Sequence, residues 1–111
     1  MLVKLPPQAA NPLAPVKPDQ AKRTALLNEF FSQYARDHPD NVAVANLADI
    51  VCPGGAPCPK KVDGIVLRPK DGNHFEPDGA AWVAPRLIDE LFTSLRRLDA
   101  RRATTSTSAP R

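Results

Sequence analysis

Proline restricts the fold of this 111-residue chain more than any other residue type. Most of its 13 prolines lie in the N-terminal third and around the two cysteines. A proline ring fixes φ and removes a backbone donor, so it interrupts a helix interior. A compact all-helical bundle is therefore excluded. The length allows at most one domain, and the core of that domain must be modest.

Two strands and a helix are predicted in the first half of the chain. The run LVKL at 2–5 is stopped by two prolines, which indicates a short buried strand. Small and β-branched residues predict a second strand at 41–47. Between them, 18–38 predicts an amphipathic helix that ends before Pro39, because its apolar residues recur at three- and four-residue spacing: Leu26, Leu27, Phe30, Phe31 and Tyr34. Helix followed closely by strand is typical of an α/β fold with a parallel sheet.

A hairpin is predicted in the second half of the chain. Asp63 and Gly64 separate two apolar segments in KKVDGIVLR, and both central positions of a type I′ turn need positive φ. We expect the return strand of this hairpin to lead into the sequence KDGNHFEPDG at 70–79.

A second helix is predicted after this stretch. Glu76 is the expected N-cap, Pro77 suits the first helical position, and the apolar residues that follow share one face. Pro85 lies inside the pattern and predicts either a kink or a later helix start. The final residues show no periodicity. We therefore expect a domain over 1–98 and a disordered tail over 99–111.

The two cysteines favour a disulfide. Cys52 and Cys58 lie on either side of a Pro/Gly loop in VCPGGAPCPK, the arrangement that a small disulfide-closed loop requires. Two free thiols remain an open alternative at this point. A zinc site would need two more ligands nearby, and none is obvious, so we expect no metal.

Charge and hydropathy exclude other classes. The net charge is only +3, and much of the excess lies in arginines near the C-terminal end. A nucleic-acid interface would need a denser basic face with interleaved aromatics, so we expect no nucleic-acid partner. No apolar run could span a bilayer, and the first residues are broken by proline too soon to form a signal peptide.

Asp71 and His74 are the candidate catalytic residues. They lie between a predicted strand and a predicted helix, where α/β proteins commonly place reactive groups. If Gly72 adopts a positive φ, the carboxylate can reach Nδ1 of His74 and leave Nε2 facing a cleft, which would make the imidazole a general base. The alternatives are a simple helix-entry turn and a metal site that adds Asp78.

The stretch from VCPGGAPCPK through VDG, RPKDGNHF and EPDGAAW resembles the C-terminal block of SGNH-type (GDSL-like) hydrolases. It is most similar to the SGNH domains fused to bacterial acyltransferase-3 membrane proteins. The resemblance covers roughly residues 40–95, in the order cysteine loop, VDG turn, Asp-x-x-His block and Pro-x-Gly-Ala helix start. It implies a three-layer α/β/α sandwich and ester hydrolysis or acyl transfer by a Ser-His-Asp triad.

In this resemblance, the late Asp-x-x-His block of the family matches Asp71 and His74. The family's GDS serine block and the blocks with its oxyanion-hole Gly and Asn have no counterpart here, since none of the four serines follows Gly-Asp. The resemblance thus implies a truncated C-terminal portion of the domain, inactive by itself, whose missing N-terminal half would be its partner. It further implies an acyl-ester substrate, no cofactor, and an extracytoplasmic location beside a membrane-associated parent. A non-catalytic remnant or interaction module that folds with a partner is the alternative.

Overall fold

The protein is a mixed α/β structure with a small parallel sheet. A computed structural model describes residues 1–10 and 15–108. The elements in chain order are β1 (Leu2–Lys4), α1 (Pro18–Asp37), β2 (Val44–Asn46), α2 (Leu47–Val51) and α3 (Pro77–Ser108).

The two strands pair in parallel, as the helix-then-strand order predicts. Leu2 lies opposite Val44, and Lys4 lies opposite Asn46. β2 is shorter than the predicted 41–47 because backbone polar groups at both ends have other partners. The amide of Val42 donates to the carbonyl of His38 (3.1 Å) in the turn after α1. At the other end, the Asn46 side chain accepts from the amide of Asp49 (3.1 Å) and so caps α2.

Helix α1 packs on the sheet with only part of its predicted apolar stripe. Phe31 is half-buried, whereas the other four residues of the stripe are exposed to solvent. The remaining half-buried positions include small and polar residues: Ala21, Thr24, Asn28 and Ala35. Asn28 explains this orientation, because its side chain accepts from the amide of Leu5 (2.8 Å) and donates to the carbonyl of the same residue (2.7 Å). These two bonds satisfy the backbone where β1 gives way to the prolines.

The hydrophobic core lies beneath the first turns of α3. Its buried centre is Val51, Leu67 and Val83, surrounded by partly buried apolar residues: Leu47, Ile50, Val62, Ile65, Phe75, Trp82 and Leu87. At Gly79 the backbone of α3 approaches the carbonyl of Leu67 so closely that a Cβ would overlap it. The core therefore joins α2, the hairpin region and α3.

The predicted turn at Asp63 and Gly64 is present, with φ values of 53° and 77°. Val62 and Ile65 exchange backbone hydrogen bonds of 2.9 and 3.0 Å across it. The predicted return strand is wrong, because these two residues form only an isolated bridge. Leu67 and Arg68 turn inward instead and are buried, Leu67 in the core and Arg68 against Pro7.

Helix α3 begins at Pro77, and the carbonyl of Glu76 accepts from the amide of Ala80 (2.8 Å). The later start considered at Pro85 is wrong, since the helix runs through this residue. Pro85 removes the donor that would bond the carbonyl of Ala81, but Ala81 is exposed, so water can solvate that carbonyl.

The structure differs from the expected tail over 99–111, because α3 continues to Ser108. The sequence after Leu98, DARRA, has a good helix propensity. Arg101 also fixes this end of the helix by donating to the carbonyls of Pro39 (2.7 Å) and Val42 (3.0 Å). Residues 109–111 lie outside the described residues, and the domain boundary at 98 stays a prediction.

No helix within 1–10 and 15–108 combines the length and the hydrophobicity needed to cross a bilayer. The two long helices both contain charged residues.

Cys52 and Cys58 form a disulfide, with their Cα atoms 4.8 Å apart. The structure thus contains the bond that the Pro/Gly loop favoured over free thiols. Cys52 is buried directly after α2, so the disulfide attaches the loop to the edge of the core.

Reduction of this disulfide should lower the free energy of unfolding by about 2 kcal/mol, because so short a loop constrains the unfolded chain only modestly. Urea denaturation with and without a phosphine reductant measures the difference. A Cys52→Ala/Cys58→Ala double variant should be at least equally destabilised and should not respond to the reductant. Equal midpoints for the oxidised and reduced wild-type chains would contradict the prediction.

Candidate active site

The candidate site is the loop that connects the hairpin region to α3. Asp71 folds back over the next three residues: its Oδ1 accepts from the amides of Asn73 and His74, each at 2.8 Å. Its Oδ2 contacts Nδ1 of His74. A short acidic side chain that bonds its own following backbone is the usual basis of such a turn. The structure therefore brings the two predicted residues, Asp71 and His74, into direct contact.

Gly72 permits this turn. It has a φ of 73°, as the sequence reasoning required, and it is buried against the N-terminal segment. The amide of Ala9 donates to the carbonyl of Gly72 (3.0 Å), and a Cβ at Gly72 would overlap the backbone of Ala9. Glycine is needed here both for its backbone conformation and for this close approach.

Each member of the pair shifts the pKa of the other. The amide and then the imidazole of His74, followed by the amide of Asn73, hold the pKa of Asp71 far below its usual range. The hydrogen bond from His74 to the Asp71 carboxylate, and the charge of that carboxylate, raise the pKa of His74. Both effects favour the charged forms of the two groups.

The contact also defines the chemistry open to the imidazole. With Nδ1 held against a carboxylate, the proton of a neutral ring belongs on Nδ1, which leaves Nε2 as a proton acceptor. The sequence predicted that Nε2 would face a cleft. Instead, the side chain of His74 is 87% exposed. The arrangement can act as a general base toward a hydroxyl that approaches from solvent.

Two residues that sequence reasoning missed support the loop. Gln8 is buried and donates from Nε2 to the carbonyl of Asp71 (3.0 Å). Arg68 is also buried, and its Nη1 donates to the carbonyl of Pro7 (2.7 Å). Gln8 belongs to no periodic pattern or motif, so the sequence gives no signal that would have identified it. Arg68 begins the stretch RPKDGNHF, but nothing in that stretch indicates its buried contact with Pro7.

Neither serine with a described side chain hydrogen-bonds to His74. Ser94 is buried on α3, where its hydroxyl donates to the carbonyl of Val44 (2.8 Å). Ser32 lies in the middle of α1. The side chains of Ser106 and Ser108 lie outside the described part of the structure. The loop therefore has a base and its carboxylate partner, without a nucleophilic hydroxyl from the described serines.

A metal site at this loop is not formed among the described residues. No three side chains of His, Cys, Asp or Glu in 1–10 and 15–108 come together as a cation site would require. The alternative set of Asp71, His74 and Asp78 is therefore not assembled.

A family model described as an SGNH domain fused to AT3 domains matches residues 2–89. The chain belongs to this SGNH family. The match confirms the resemblance seen in the sequence, and it includes both strands, α1 and the loop with Asp71 and His74. Fusion to AT3 domains is consistent with a membrane-associated parent family. No curated protein and no solved structure gives a significant match to the chain.

Substitution of Gly72 tests the close approach within this SGNH loop. Gly72→Ala should lower the free energy of unfolding by about 1–3 kcal/mol for the backbone strain alone, and by more because the new methyl group overlaps Ala9. Gly64→Ala is the matched control, since Gly64 has a similar φ of 77° but nothing within 4 Å of the added Cβ. Urea denaturation should show the larger loss for Gly72→Ala. Equal losses would mean that the approach to Ala9 is not needed.

The pH titration of His74 tests its contact with Asp71. Proton NMR should give a pKa above the ordinary value of about 6.5, because the carboxylate favours the imidazolium. Asp71→Asn should bring the pKa back toward that value. Asp63→Asn is the control and should leave it unchanged, because Asp63 bonds Trp82 instead (3.1 Å). A His74 pKa that is unchanged by Asp71→Asn would contradict the contact.

The pKa shifts of His74 and Asp71 define the pH range in which their contact stabilises the fold. Because the pKa of His74 is raised on folding, its contribution to stability is present below about pH 6.5 and is lost as pH rises through the folded-state pKa. Because the pKa of Asp71 is depressed, its contribution is present above about pH 3.9 and is lost as pH falls through the folded-state pKa. The full contribution of the ion pair to stability is therefore present between about pH 3.9 and pH 6.5.

Proposed function

We propose that this chain supplies the base and its carboxylate partner to the Ser-His-Asp triad of an SGNH-type esterase or O-acyltransferase. In this proposal the chain is the C-terminal portion of a three-layer α/β/α sandwich, and the nucleophilic serine comes from residues outside this sequence. The observation that carries it is the contact between Asp71 and His74 within a segment that belongs to the SGNH family.

The chemistry follows from the tautomer. A serine hydroxyl placed at Nε2 of His74 loses its proton to the ring while its oxygen attacks the ester carbonyl. Asp71 stabilises the resulting imidazolium, and oxyanion donors, also from outside this sequence, hold the tetrahedral intermediate. His74 then protonates the departing alcohol. Water or an acceptor hydroxyl, deprotonated by His74, attacks the acyl-serine, and His74 returns this proton to the serine oxygen as it departs, so the acyl group is hydrolysed or transferred.

The sheet supports an incomplete domain. It contains only β1 and β2 among the described residues, so each strand leaves one edge unpaired there. A two-stranded sheet is marginally stable in isolation, and further strands or packed helices are needed to stabilise it. The open edges are where the remaining strands of an SGNH sandwich would pair.

We place this domain outside the cytoplasm, beside a membrane protein. The disulfide between Cys52 and Cys58 supports an oxidising compartment. The fusion of the family to AT3 domains supports attachment to a membrane-associated parent.

The second candidate is a non-catalytic interaction module that folds with a partner. The observation that favours it is that neither Ser32 nor Ser94 hydrogen-bonds to His74, whose side chain is almost fully exposed. In this reading the contact with Asp71 serves only to shape the entry to α3.

Reconstitution separates the two candidates. The chain is mixed with a polypeptide that carries a family-type N-terminal half with the GDS block, and hydrolysis of an acetyl ester of an unactivated alcohol is measured. Such an ester avoids the background from an exposed imidazole. The chain alone should turn over no faster than its His74→Ala variant. The complex should show turnover that falls about 10²- to 10⁴-fold in His74→Ala.

The controls are His38→Ala, which removes the other histidine, and Asp63→Asn, which removes a carboxylate at the hairpin turn. Both should keep full activity in the complex. Activity in the complex that persists in His74→Ala would contradict the triad assignment. A stable complex with no activity would favour the interaction module.

A further inference from the structure

Helix α1 presents a large apolar face to solvent. The outer α1 face, as we use the term, consists of Arg23, Leu26, Leu27, Phe30, Tyr34 and Asp37. Leu26 is 71% exposed, Phe30 64% and Tyr34 44%. The rings of Phe30 and Tyr34 lie 6.3 Å apart in a stacked arrangement. An amphipathic helix normally turns such residues toward a core, so their exposure indicates a surface that another molecule covers.

The spacing of these residues is symmetric about Phe30. Leu26 and Tyr34 lie four residues before and after it, and Arg23 and Asp37 lie seven residues before and after it. Steps of four and seven residues return to the same face of an α-helix. An antiparallel copy of α1, related by a two-fold axis at Phe30, would therefore place each Leu26 against the partner's Tyr34. It would also place each Arg23 against the partner's Asp37.

We propose that the outer α1 face is the interface of a homodimer in which two α1 helices pack antiparallel across Phe30. The interface is self-complementary, as a two-fold contact must be. Its apolar centre is Leu26, Phe30 and Tyr34, and its two ends are Arg23–Asp37 pairs.

The charges at the ends support a second copy. Arg23 has no hydrogen bond or ion pair in the described part of the chain. Asp37 has an exposed contact with Gln33 (3.0 Å) and no salt bridge there. Each group would thus gain a partner of opposite charge on dimerisation. The two-fold symmetry creates two such Arg23–Asp37 pairs per dimer. The antiparallel order also sets the positive end of each helix dipole beside the negative end of the other.

A lipid surface fits this face less well. The charged residues of α1 are three basic and three acidic, so the helix carries no net charge: Lys22, Arg23 and Arg36 against Asp19, Glu29 and Asp37. Helices that lie on anionic membranes are rich in Lys and Arg along their polar face. The patch from Arg23 to Asp37 spans only about 21 Å of helix. An interface built on so short a helix segment is expected to be small, so the dimer should dissociate on dilution.

Sedimentation equilibrium of the 111-residue chain, from about 5 to 500 µM, tests the dimer. The wild-type chain should show a monomer–dimer equilibrium, and Phe30→Glu should raise its Kd at least about 30-fold, because the charge would lie at the centre of the interface. Phe92→Glu is the matched control. Phe92 is an exposed aromatic residue on α3, and its substitution should leave the Kd unchanged.

Exchange of the charges at Arg23 and Asp37 tests the proposed register of the two antiparallel α1 helices. Arg23→Glu and Asp37→Arg should each raise the Kd roughly 3- to 10-fold, since each creates two like-charge pairs. The double variant should restore the wild-type Kd. Circular dichroism confirms helix content in every variant. A monomer at all concentrations, a dimer insensitive to Phe30→Glu, or a swap that is not rescued would overturn the proposal. Binding of the monomer to phosphatidylglycerol vesicles through Phe30 would also overturn it.

Discussion

The position of the loop that contains Asp71 and His74 depends on Gln8. Its side chain donates to the carbonyl of Asp71, which is 63 residues away in sequence, and accepts from the amide of Lys17 (3.0 Å) at the start of α1. A single buried amide thus connects the segment after β1, the N-cap residue of α1 and the loop. Because every polar group of a buried amide must be satisfied, this arrangement has little freedom to shift. Removal of Gln8 would leave a buried cavity, an unpaired carbonyl at Asp71 and an unpaired amide at Lys17.

Arg68 adds an electrostatic link to this arrangement. Burial lowers its pKa, and the nearby charge of Asp71 opposes that shift. The guanidinium donates to Pro7 and approaches the sulfur of Cys58 (3.6 Å), so it joins the N-terminal segment to the disulfide loop. Asp71 therefore has two roles: it holds the imidazole of His74 directly, and its charge partly offsets the desolvation of the buried Arg68 guanidinium.

The features that local chemistry determines could be predicted from the sequence. Pro39 ends α1, Asp63 and Gly64 form their turn, and Asp71 reaches His74 across Gly72, all through contacts within a few residues. The orientation of α1 and the length of α3 depend instead on contacts between residues far apart in sequence. Asn28 turned the small face of α1 toward the sheet, and Arg101 held α3 helical where a tail was expected. Neither preference is visible in hydrophobic periodicity, which records the apolar residues but not the polar side chain that anchors them.

Because His74 is exposed in this chain, assembly of the proposed complete SGNH domain would change the pKa of its imidazole. In the chain by itself the carboxylate of Asp71 raises the pKa of the imidazole, which favours the protonated ring and leaves less free base near neutral pH. Burial acts in the opposite direction, because desolvation disfavours the imidazolium. A polypeptide that covers this loop with a nucleophilic serine would thus lower the pKa of His74 toward the range in which a general base works best. The same docking step would supply the nucleophile and increase the fraction of imidazole able to accept its proton.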